Sequence, residues 1–241
     1  MFGQSEGECV DLRGQSIDEN TTREPIASSD VISADNEQEN VISLVEFEKY
    51  PLPVITTRFV GPDLSAFQDD KHMSTFSAAE QDRIEDDICK ALVCLRDNEI
   101  VHQDIKLKNI LYSRQERKAV LIDFGLGRME RDCNTRADCG TPCFLPPEVS
   151  ILARRSYGWD MWAAGIVLLF VRKHIGGDLK NWNLKVDSLG NFTEHNKWLK
   201  VINRHRRSLP ERSRIRAMLE PKPSERIKAE ELFENATALP A

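Results

Sequence analysis

The spacing of apolar residues predicts a long helix in the second quarter of the chain. Between residues 77 and 98, apolar side chains recur at intervals of three or four, at Ile84, Ile88, Leu92 and Leu95. Ser77 and Glu80 stand at the start of this run in the S-x-x-E pattern of a capping box, in which two side chains satisfy free backbone N–H groups. The pattern therefore predicts an amphipathic helix that begins just after Ser77 and buries one face.

Several shorter stretches have the composition of strands. The runs "VISLVEFEKY" (41–50) and "LPVITTRFV" (52–60) are rich in β-branched and aromatic residues and are separated by "PLP", which predicts two strands of a small sheet. The segments "NILYS" (109–113) and "KAVLIDFG" (118–125) predict two further short strands around a polar turn.

The second half of the chain is predicted to be mainly helical. Residues 125–148 show no period and contain Gly, Cys and Pro, which favours a long functional loop. From Tyr157 onward the pattern is typical of helices. The apolar run "MWAAGIVLLFV" (161–171) is too short to cross a bilayer and predicts a buried core helix.

Charge is unevenly distributed along the chain. Residues 1–48 hold 12 acidic residues and two arginines, whereas the whole chain has a net charge of -6, so the remaining residues carry about +4. Residues 1–40 are rich in Ser, Asn, Gln, Asp and Glu, which predicts an acidic disordered tail, with a short helix near Ile26–Glu37 as an alternative. A solvated tail is favoured over a docking segment. The negative net charge gives no reason to expect a nucleic-acid partner.

The cysteines and the N-terminus bear on the compartment. The N-terminus has no basic start and no apolar run, so no secretory signal is predicted, and we expect no membrane association. The six cysteines show no paired zinc-ligand spacing: Cys9, Cys89, Cys94, Cys133, Cys139 and Cys143. Free thiols in a reducing cytoplasm or nucleus are favoured over a metal site or a disulfide among the last three.

Polar side chains are concentrated in a loop that follows the predicted helix. Asp104, Lys106 and Asn109 lie within "HQDIKLKN" (102–109), and Asp123 comes nineteen residues after Asp104, at the end of a predicted strand. Two acids and an amide can hold a divalent metal through oxygen, and a lysine can neutralise phosphate. Phosphoryl transfer needs this set of groups, since its catalysis consists mainly of positioning and charge stabilisation. Taken alone, Asp123 is equally well explained as a turn residue.

The order of five motifs resembles the eukaryotic protein kinase family. "HQDIKLKN" resembles the catalytic loop H-R-D-x-K-x-x-N, and "DFG" (123–125) follows it. "GTPCFLPPEV" (140–149) resembles the end of the activation segment, "YGWDMWAAGIVL" (157–168) a buried helix, and "MLEPKPSERIKAEEL" (218–232) the closing helices. The resemblance covers roughly residues 41–236. It implies an α+β, protein-kinase-like fold with a mostly helical C-terminal lobe at 61–238 and a reduced N-terminal β-lobe remnant and hinge at 41–60.

The resemblance assigns roles by position. It implies ATP and Mg as cofactors, a protein serine/threonine substrate, and a catalytic set of Asp104, Lys106, Asn109 and Thr141. Asn109 and Asp123 are the implied metal ligands. The implied nucleotide contacts are Asp123, the gatekeeper Thr57 and the hinge residues Arg58, Phe59 and Val60. Glu148 and Arg226 are expected to form a buried ion pair, and Asp160 to hold the catalytic loop.

The sequence departs from the family pattern in two places. No lysine precedes Lys49, and no G-x-G-x-x-G or helix glutamate is found where the small lobe would supply them. Gln103 replaces the arginine that often clamps a phosphate on the activation loop, and its neutral amide cannot make that clamp. Gln103 therefore argues against control by loop phosphorylation and leaves Asp104 untouched.

Two functions stay open at this point. The first is a serine/threonine kinase with a truncated small lobe, and the alternative is a catalytically weak or inactive pseudokinase that acts as a scaffold for a partner kinase or substrate. An unrelated helical binding protein is disfavoured by the order of the motifs. The basic run "RHRR" (204–207) is either a nuclear-import or anion-binding patch or a solvated helix face.

Overall fold

The structure is a computed structural model that describes residues 40–42, 44–48, 54–57, 60–133, 140–151, 155–177, 179 and 193–233. The predicted tail up to residue 39, including the alternative helix Ile26–Glu37, lies outside the described residues, as do Arg58 and Phe59, which the resemblance assigns to the hinge. The side chains of residues 44–48 and 54–57 are also outside the description, so Thr57 is described by its backbone alone.

Helix α1 spans Ala78–Asp97 and confirms the prediction from apolar spacing. The Ser77 N–H donates to Glu80 Oε2 at 2.8 Å, and the Glu80 N–H donates to Ser77 Oγ at 3.4 Å, so both halves of the predicted capping box are present. The four residues that set the period are all buried: Ile84, Ile88, Leu92 and Leu95.

The described strands form three two-stranded antiparallel sheets. Strands β1 (Leu44–Glu48) and β2 (Val54–Thr57) pair with each other, as predicted for the N-terminal region. Strand β3 (Ile100–Val101) pairs with β6 (Arg128–Met129), and β4 (Ile110–Ser113) pairs with β5 (Lys118–Leu121). The last pair confirms the two strands predicted around a polar turn and brings residue 110 opposite residue 121.

Residues 40–42 lie along the free side of β5. The Leu121 N–H donates to the Asn40 carbonyl at 2.9 Å, and the Ile42 N–H donates to the Leu121 carbonyl at 3.0 Å. Asn40 is buried, and its side-chain amide donates to the Ala119 carbonyl at 3.0 Å. The last residue of the range predicted as a tail is therefore packed against the large lobe.

Helix α2 spans Tyr157–Val171 and forms the centre of the core. Every residue from Trp159 to Val171 is buried, which confirms the prediction for the apolar run. Helix α3 spans Thr193–Ser208 and helix α4 spans Arg214–Met218. Gly165 on α2 permits close packing, because a Cβ atom there would lie 2.8 Å from the Leu219 side chain.

The region predicted as a long loop, residues 125–148, contains β6 and single turns of 3₁₀ helix at Glu130–Asp132 and Pro142–Phe144. Residues 134–139 lie outside the described residues. Further 3₁₀ turns lie at Leu64–Ala66, Leu107–Asn109, Pro147–Ile151 and Ala229–Leu232. Such short turns carry no hydrophobic period, which is why the sequence pattern did not predict them.

A buried ion pair joins the end of this region to the C-terminal part of the chain. Arg226 Nη1 and Nη2 donate to Glu148 Oε1 and Oε2 at 2.7 and 2.9 Å, and both residues are buried. Arg226 also donates to the Glu220 and Gly158 carbonyls at 2.9 and 2.7 Å. The predicted Glu148–Arg226 pair is therefore confirmed, with the two-point geometry that suits a guanidinium and a carboxylate.

Candidate active site

The polar loop of residues 102–109 connects β3 to β4 and is anchored on helix α2. The backbone N–H groups of His102 and Gln103 donate to Asp160 Oδ2 and Oδ1 at 2.6 and 2.9 Å. Asp160 lies in the first turn of α2 and is almost wholly buried. Removal from water raises the pKa of its carboxyl to about 7, against the lowering effect of these two hydrogen bonds and of Arg155. Asp160 thus fixes the backbone just before Asp104.

Asp104 is the centre of a hydrogen-bonded cluster. Thr141 lies in the segment 140–149, which resembles the end of the activation segment. Its hydroxyl donates to Asp104 Oδ1 at 2.9 Å. Lys106 Nζ bonds to Asp104 Oδ2, and Asn109 Nδ2 lies 3.3 Å from the same oxygen and 2.9 Å from the Asp104 carbonyl. The four residues predicted as the catalytic set are therefore brought together by the fold.

The cluster leaves Asp104 some acceptor capacity. An ionised carboxylate offers about four lone-pair positions, and Thr141, Lys106 and Asn109 occupy about three of them. The remaining position is on Oδ1. The carboxylate is therefore held in one orientation and can still accept one further proton donor.

His102 belongs to this loop, supports its backbone through hydrogen bonds and is fully buried. Its Nε2 lies 3.0 Å from the Ile122 carbonyl, so Nε2 carries the proton, and Nδ1 accepts the Asp104 N–H at 3.3 Å. Burial lowers the pKa of the ring, which keeps the imidazole neutral. Both ring nitrogens therefore have partners, as in a core histidine that supports the backbone around it.

Asn109 and Asp123 approach each other through the β4–β5 pairing. The Ile122 N–H donates to the Asn109 carbonyl at 2.9 Å, which places Asp123 one residue beyond that bond. Asp123 is exposed and has a backbone φ of 66°, in the left-handed region that non-glycine residues rarely adopt. Such a backbone costs about 1–3 kcal/mol and is concentrated at functional sites.

The donor atoms at this edge suit magnesium. The Asn109 amide nitrogen is used by Asp104, so the amide is oriented and its oxygen is directed to another side. The Asp123 carboxylate is exposed. An amide oxygen and a carboxylate are hard ligands of the kind Mg²⁺ takes, together with water and substrate phosphate. Among the described residues, no group of three or more His, Cys, Asp or Glu forms a fuller metal cage.

The predicted nucleotide contacts are only partly described. Thr57 lies at the end of β2, and Val60, which is half-buried, directly precedes Gly61. A Cβ atom on Gly61 would lie 2.5 Å from the Tyr112 carbonyl oxygen, so the chain after the hinge passes closely over β4. Arg58 and Phe59 lie outside the described residues.

Arg155 is part of the site's support and was missed by sequence reasoning. It is buried, its Nη1 donates to Gln103 Oε1 at 2.9 Å, and its guanidinium lies 5.3 Å from the Trp159 ring centre. The bond joins residues 52 positions apart, so no local pattern predicts it. The only signal in the sequence is an arginine just before a buried helix.

Comparison with known proteins identifies the family. The protein kinase domain profile matches residues 15–236, which is most of the chain. The chain belongs to the protein kinase family. The resemblance drawn from the motifs is confirmed, and so are the kinase-like fold and the serine/threonine type, since similar proteins carry that name. The match begins at residue 15, whereas the resemblance inferred from the sequence began at about residue 41.

Three relatives illustrate the extent of similarity. Mouse serine/threonine-protein kinase DCLK3 is 47% identical over 88 residues, covering 34% of this chain and 11% of that protein. Calcium/calmodulin-dependent protein kinase type 1 of Caenorhabditis briggsae is 34% identical over 136 residues, covering 53% and 36%. Probable serine/threonine-protein kinase fnkB of Dictyostelium discoideum is 28% identical over 133 residues, covering 52% and 24%. The chain thus spans about a third or less of the length of these relatives.

The remaining predictions concern the surface and the thiols. No helix in the described part of the chain has the length and apolarity needed to span a membrane. Cys89 and Cys143 are buried and form no disulfide, whereas Cys9 and Cys139 lie outside the described residues. Within "RHRR", Arg206 bonds to Glu220 and to the Arg216 carbonyl, whereas Arg204 and Arg207 are exposed, an arrangement that favours the solvated helix face.

Proposed function

We propose that this chain carries the catalytic machinery of a protein kinase that transfers the γ-phosphoryl group of ATP to serine or threonine hydroxyls. One observation carries the proposal: the Asp104 carboxylate is held at once by Thr141, Lys106 and Asn109. A merely structural aspartate would not need a lysine and an amide on the oxygen that faces the proposed phosphate site. ATP and Mg are the cofactors that the family generally uses.

Asp104 is proposed to orient the substrate hydroxyl and accept its proton. The acceptor position left on Oδ1 is the one available for an incoming hydroxyl, while Thr141 prevents the carboxylate from rotating. A base held within hydrogen-bond distance of its substrate contributes about 10²–10⁴-fold to rate. Thr141 lies in the segment that resembles the end of the activation segment, so its bond to Asp104 forms only when that segment is packed against the loop.

We propose that the negative charge of the phosphates is neutralised by Lys106 and by a magnesium ion held by Asn109 and Asp123. Lys106 already reaches Asp104 Oδ2, so its ammonium group can bond to a transferring phosphoryl group next to the base. Asn109 and Asp123 would hold Mg²⁺, which neutralises charge that develops on the phosphate oxygens. Thr57, Arg58, Phe59 and Val60 are proposed to line the adenine site.

Transfer by this 241-residue chain alone is expected to be weak. The sequence has no lysine before Lys49, and in this family a small-lobe lysine fixes the α- and β-phosphates. Loss of one transition-state contact costs about 10²–10³ in rate. Lys49, or a lysine from a partner protein, would have to replace it for robust activity.

The test is transfer from radiolabelled ATP to serine/threonine peptides by the full chain. We expect slow transfer that falls about 10²–10⁴-fold in Asp104→Asn, the loss associated with a general base. The matched control is Asp97→Asn, an exposed aspartate paired with Arg96 at the end of α1. Transfer that is equal in wild type and Asp104→Asn would contradict the proposal.

A second function is favoured by the missing lysine. In that case the chain binds nucleotide and serves as a scaffold for a partner kinase or a substrate, without transfer of its own. Titration with ATP, with and without Mg²⁺, separates the two functions. Mg-dependent binding that is lost in Asp123→Ala, combined with no Asp104-dependent transfer, would favour the scaffold. We also propose that the chain binds a protein substrate or a partner kinase, and that its domain boundaries lie at residues 40 and 60.

A further inference from the structure

Gln103 lies where three parts of the chain meet. Its backbone N–H donates to Asp160 on α2 at 2.9 Å, and a Cβ on Gly140 would lie 3.1 Å from its carbonyl oxygen. Its side-chain Oε1 accepts from Arg155, and its Nε2 lies 3.9 Å from the Cys133 sulfur. Gln103 therefore lies close to three places in the chain. They are the segment before α2, residue 133 and residue 140.

Gln103 also holds an unfavourable backbone conformation. Its φ is 69°, in the left-handed region, and this turn aims the next residue, Asp104, at Thr141 and Lys106. A non-glycine residue keeps such a conformation only where its surroundings fix it. The bonds from Asp160 and Arg155 are the ones that fix it here.

Arg155 and Gln103 are chemically matched. A guanidinium has only donors, so it needs an acceptor, and a glutamine side chain offers a carbonyl oxygen as well as an N–H₂ group. An arginine at position 103 would bring a second cation against the buried Arg155, which already lies near Asp160. A buried like-charge contact is costly. The neutral residue at 103 and the cation at 155 thus belong together.

We infer that Arg155 is a positioning residue that holds the loop of residues 102–109 in place. Its guanidinium reaches the loop through Gln103, and the Trp159 ring on which it lies fixes its direction. This inference rests on the proposed function where it concerns catalysis. The geometry it predicts for the loop can be measured without any activity.

The test compares amide hydrogen exchange in the full chain for Arg155→Met and Gln103→Ala. Both variants should speed exchange at the amides of residues 102–104 by at least about tenfold, because a hydrogen bond to a charged group is lost. Exchange at Ile88 and Leu92 in α1 serves as the reference for global unfolding. Arg214→Met is the matched control, since Arg214, like Arg155, donates to side-chain oxygen atoms and lies near an aromatic ring, but is away from the loop.

A swap of the two side chains sharpens the test. Gln103→Arg alone should loosen the loop, and Gln103→Arg combined with Arg155→Met should restore much of the protection, since one cation again faces Asp160. In the transfer assay, Arg155→Met should lower kcat with little change in KM for ATP. If Arg155→Met does not fold, Gln103→Ala decides the matter.

Two results would overturn the inference: unchanged exchange at residues 102–104 in Gln103→Ala or in a folded Arg155→Met, or equal tolerance of Gln103→Arg with and without Arg155. Absence of transfer in the wild type would count against the proposed function alone. The exchange measurement would still decide the role of Arg155.

Discussion

Two buried carboxylates, Glu148 ahead of helix α2 and Asp160 in its first turn, are satisfied in different ways. Glu148 meets one full opposite charge, with two bonds to Arg226. Asp160 instead accepts two backbone N–H groups from the loop of residues 102–109 and lies near Arg155. The first arrangement ties side chain to side chain, and the second ties a side chain to the backbone of the site.

The difference explains why the two residues serve different purposes. A two-point ion pair fastens distant parts of the chain but leaves the backbone free to choose its course. A carboxylate that accepts successive N–H groups dictates the backbone geometry, and here it imposes the turn at Gln103 that directs Asp104. The loss of Glu148 or Arg226 should therefore affect mainly stability, whereas the loss of Asp160 should affect mainly the site.

The largest effect is expected for Arg226→Ala. This change leaves the Glu148 carboxylate buried without its cation, which typically costs about 3–5 kcal/mol of unfolding free energy. Urea denaturation followed by tryptophan fluorescence measures it. The matched control is Lys197→Ala, which breaks the exposed pair with Glu194 and should change stability by at most about 1 kcal/mol.

A double replacement sharpens the same comparison. Glu148→Leu with Arg226→Met removes both charges, and should recover most of the stability lost in Arg226→Ala. A double variant as unstable as the single one would show that packing of Arg226 on Trp162, rather than the charge left on Glu148, sets the cost. An unchanged denaturation midpoint in Arg226→Ala would contradict the buried pair.

The next effect in size is expected for Asp160→Ala. Two backbone N–H groups lose their acceptor, at about 1–3 kcal/mol each, but the desolvation cost of the carboxylate is recovered. We expect a net loss of about 1–3 kcal/mol, smaller than for Arg226→Ala, together with loss of Asp104-dependent transfer. Asp160→Asn keeps one acceptor and should fall between wild type and Asp160→Ala. A site that transfers normally in Asp160→Ala would refute the division of roles.

The sequence predicted the parts of this comparison that rest on local pattern or on family motifs. Helix α1 follows from apolar spacing and its capping box from the S-x-x-E pattern. The two strands β4 and β5 follow from their composition, and the buried centre of α2 follows from a continuous apolar run. The ion pair between residues 148 and 226 followed from the resemblance, since it joins residues 78 apart. The short turns and the contact between Arg155 and Gln103 did not follow, because single turns have no period and a long-range side-chain bond leaves no local signal.

The smallest expected effect is on the pH dependence of folding stability. It comes from His102, the neutral histidine that contacts the loop backbone. Burial lowers the pKa of His102, so its neutral form is favoured in the folded state. Stability from this residue is therefore complete above about pH 6.5 and is lost as the pH falls below that value. Protonation would add a buried charge and remove the acceptor for the Asp104 N–H.

We expect wild type to lose more stability than His102→Gln between pH 7.5 and 5.5, by at most about 1.4 kcal/mol per pH unit, the limit for one proton. Melting temperatures at both pH values measure it.

Asp160 acts with the opposite sign, since its raised pKa costs stability as the pH rises toward about 7. His195, whose pKa is also lowered by burial, acts with the same sign as His102. Both are present in each protein, so the difference isolates His102. Parallel pH profiles for the two proteins would mean that His102 binds its proton equally well in the folded and the unfolded chain, and would contradict a neutral Nδ1 as the acceptor of the Asp104 N–H.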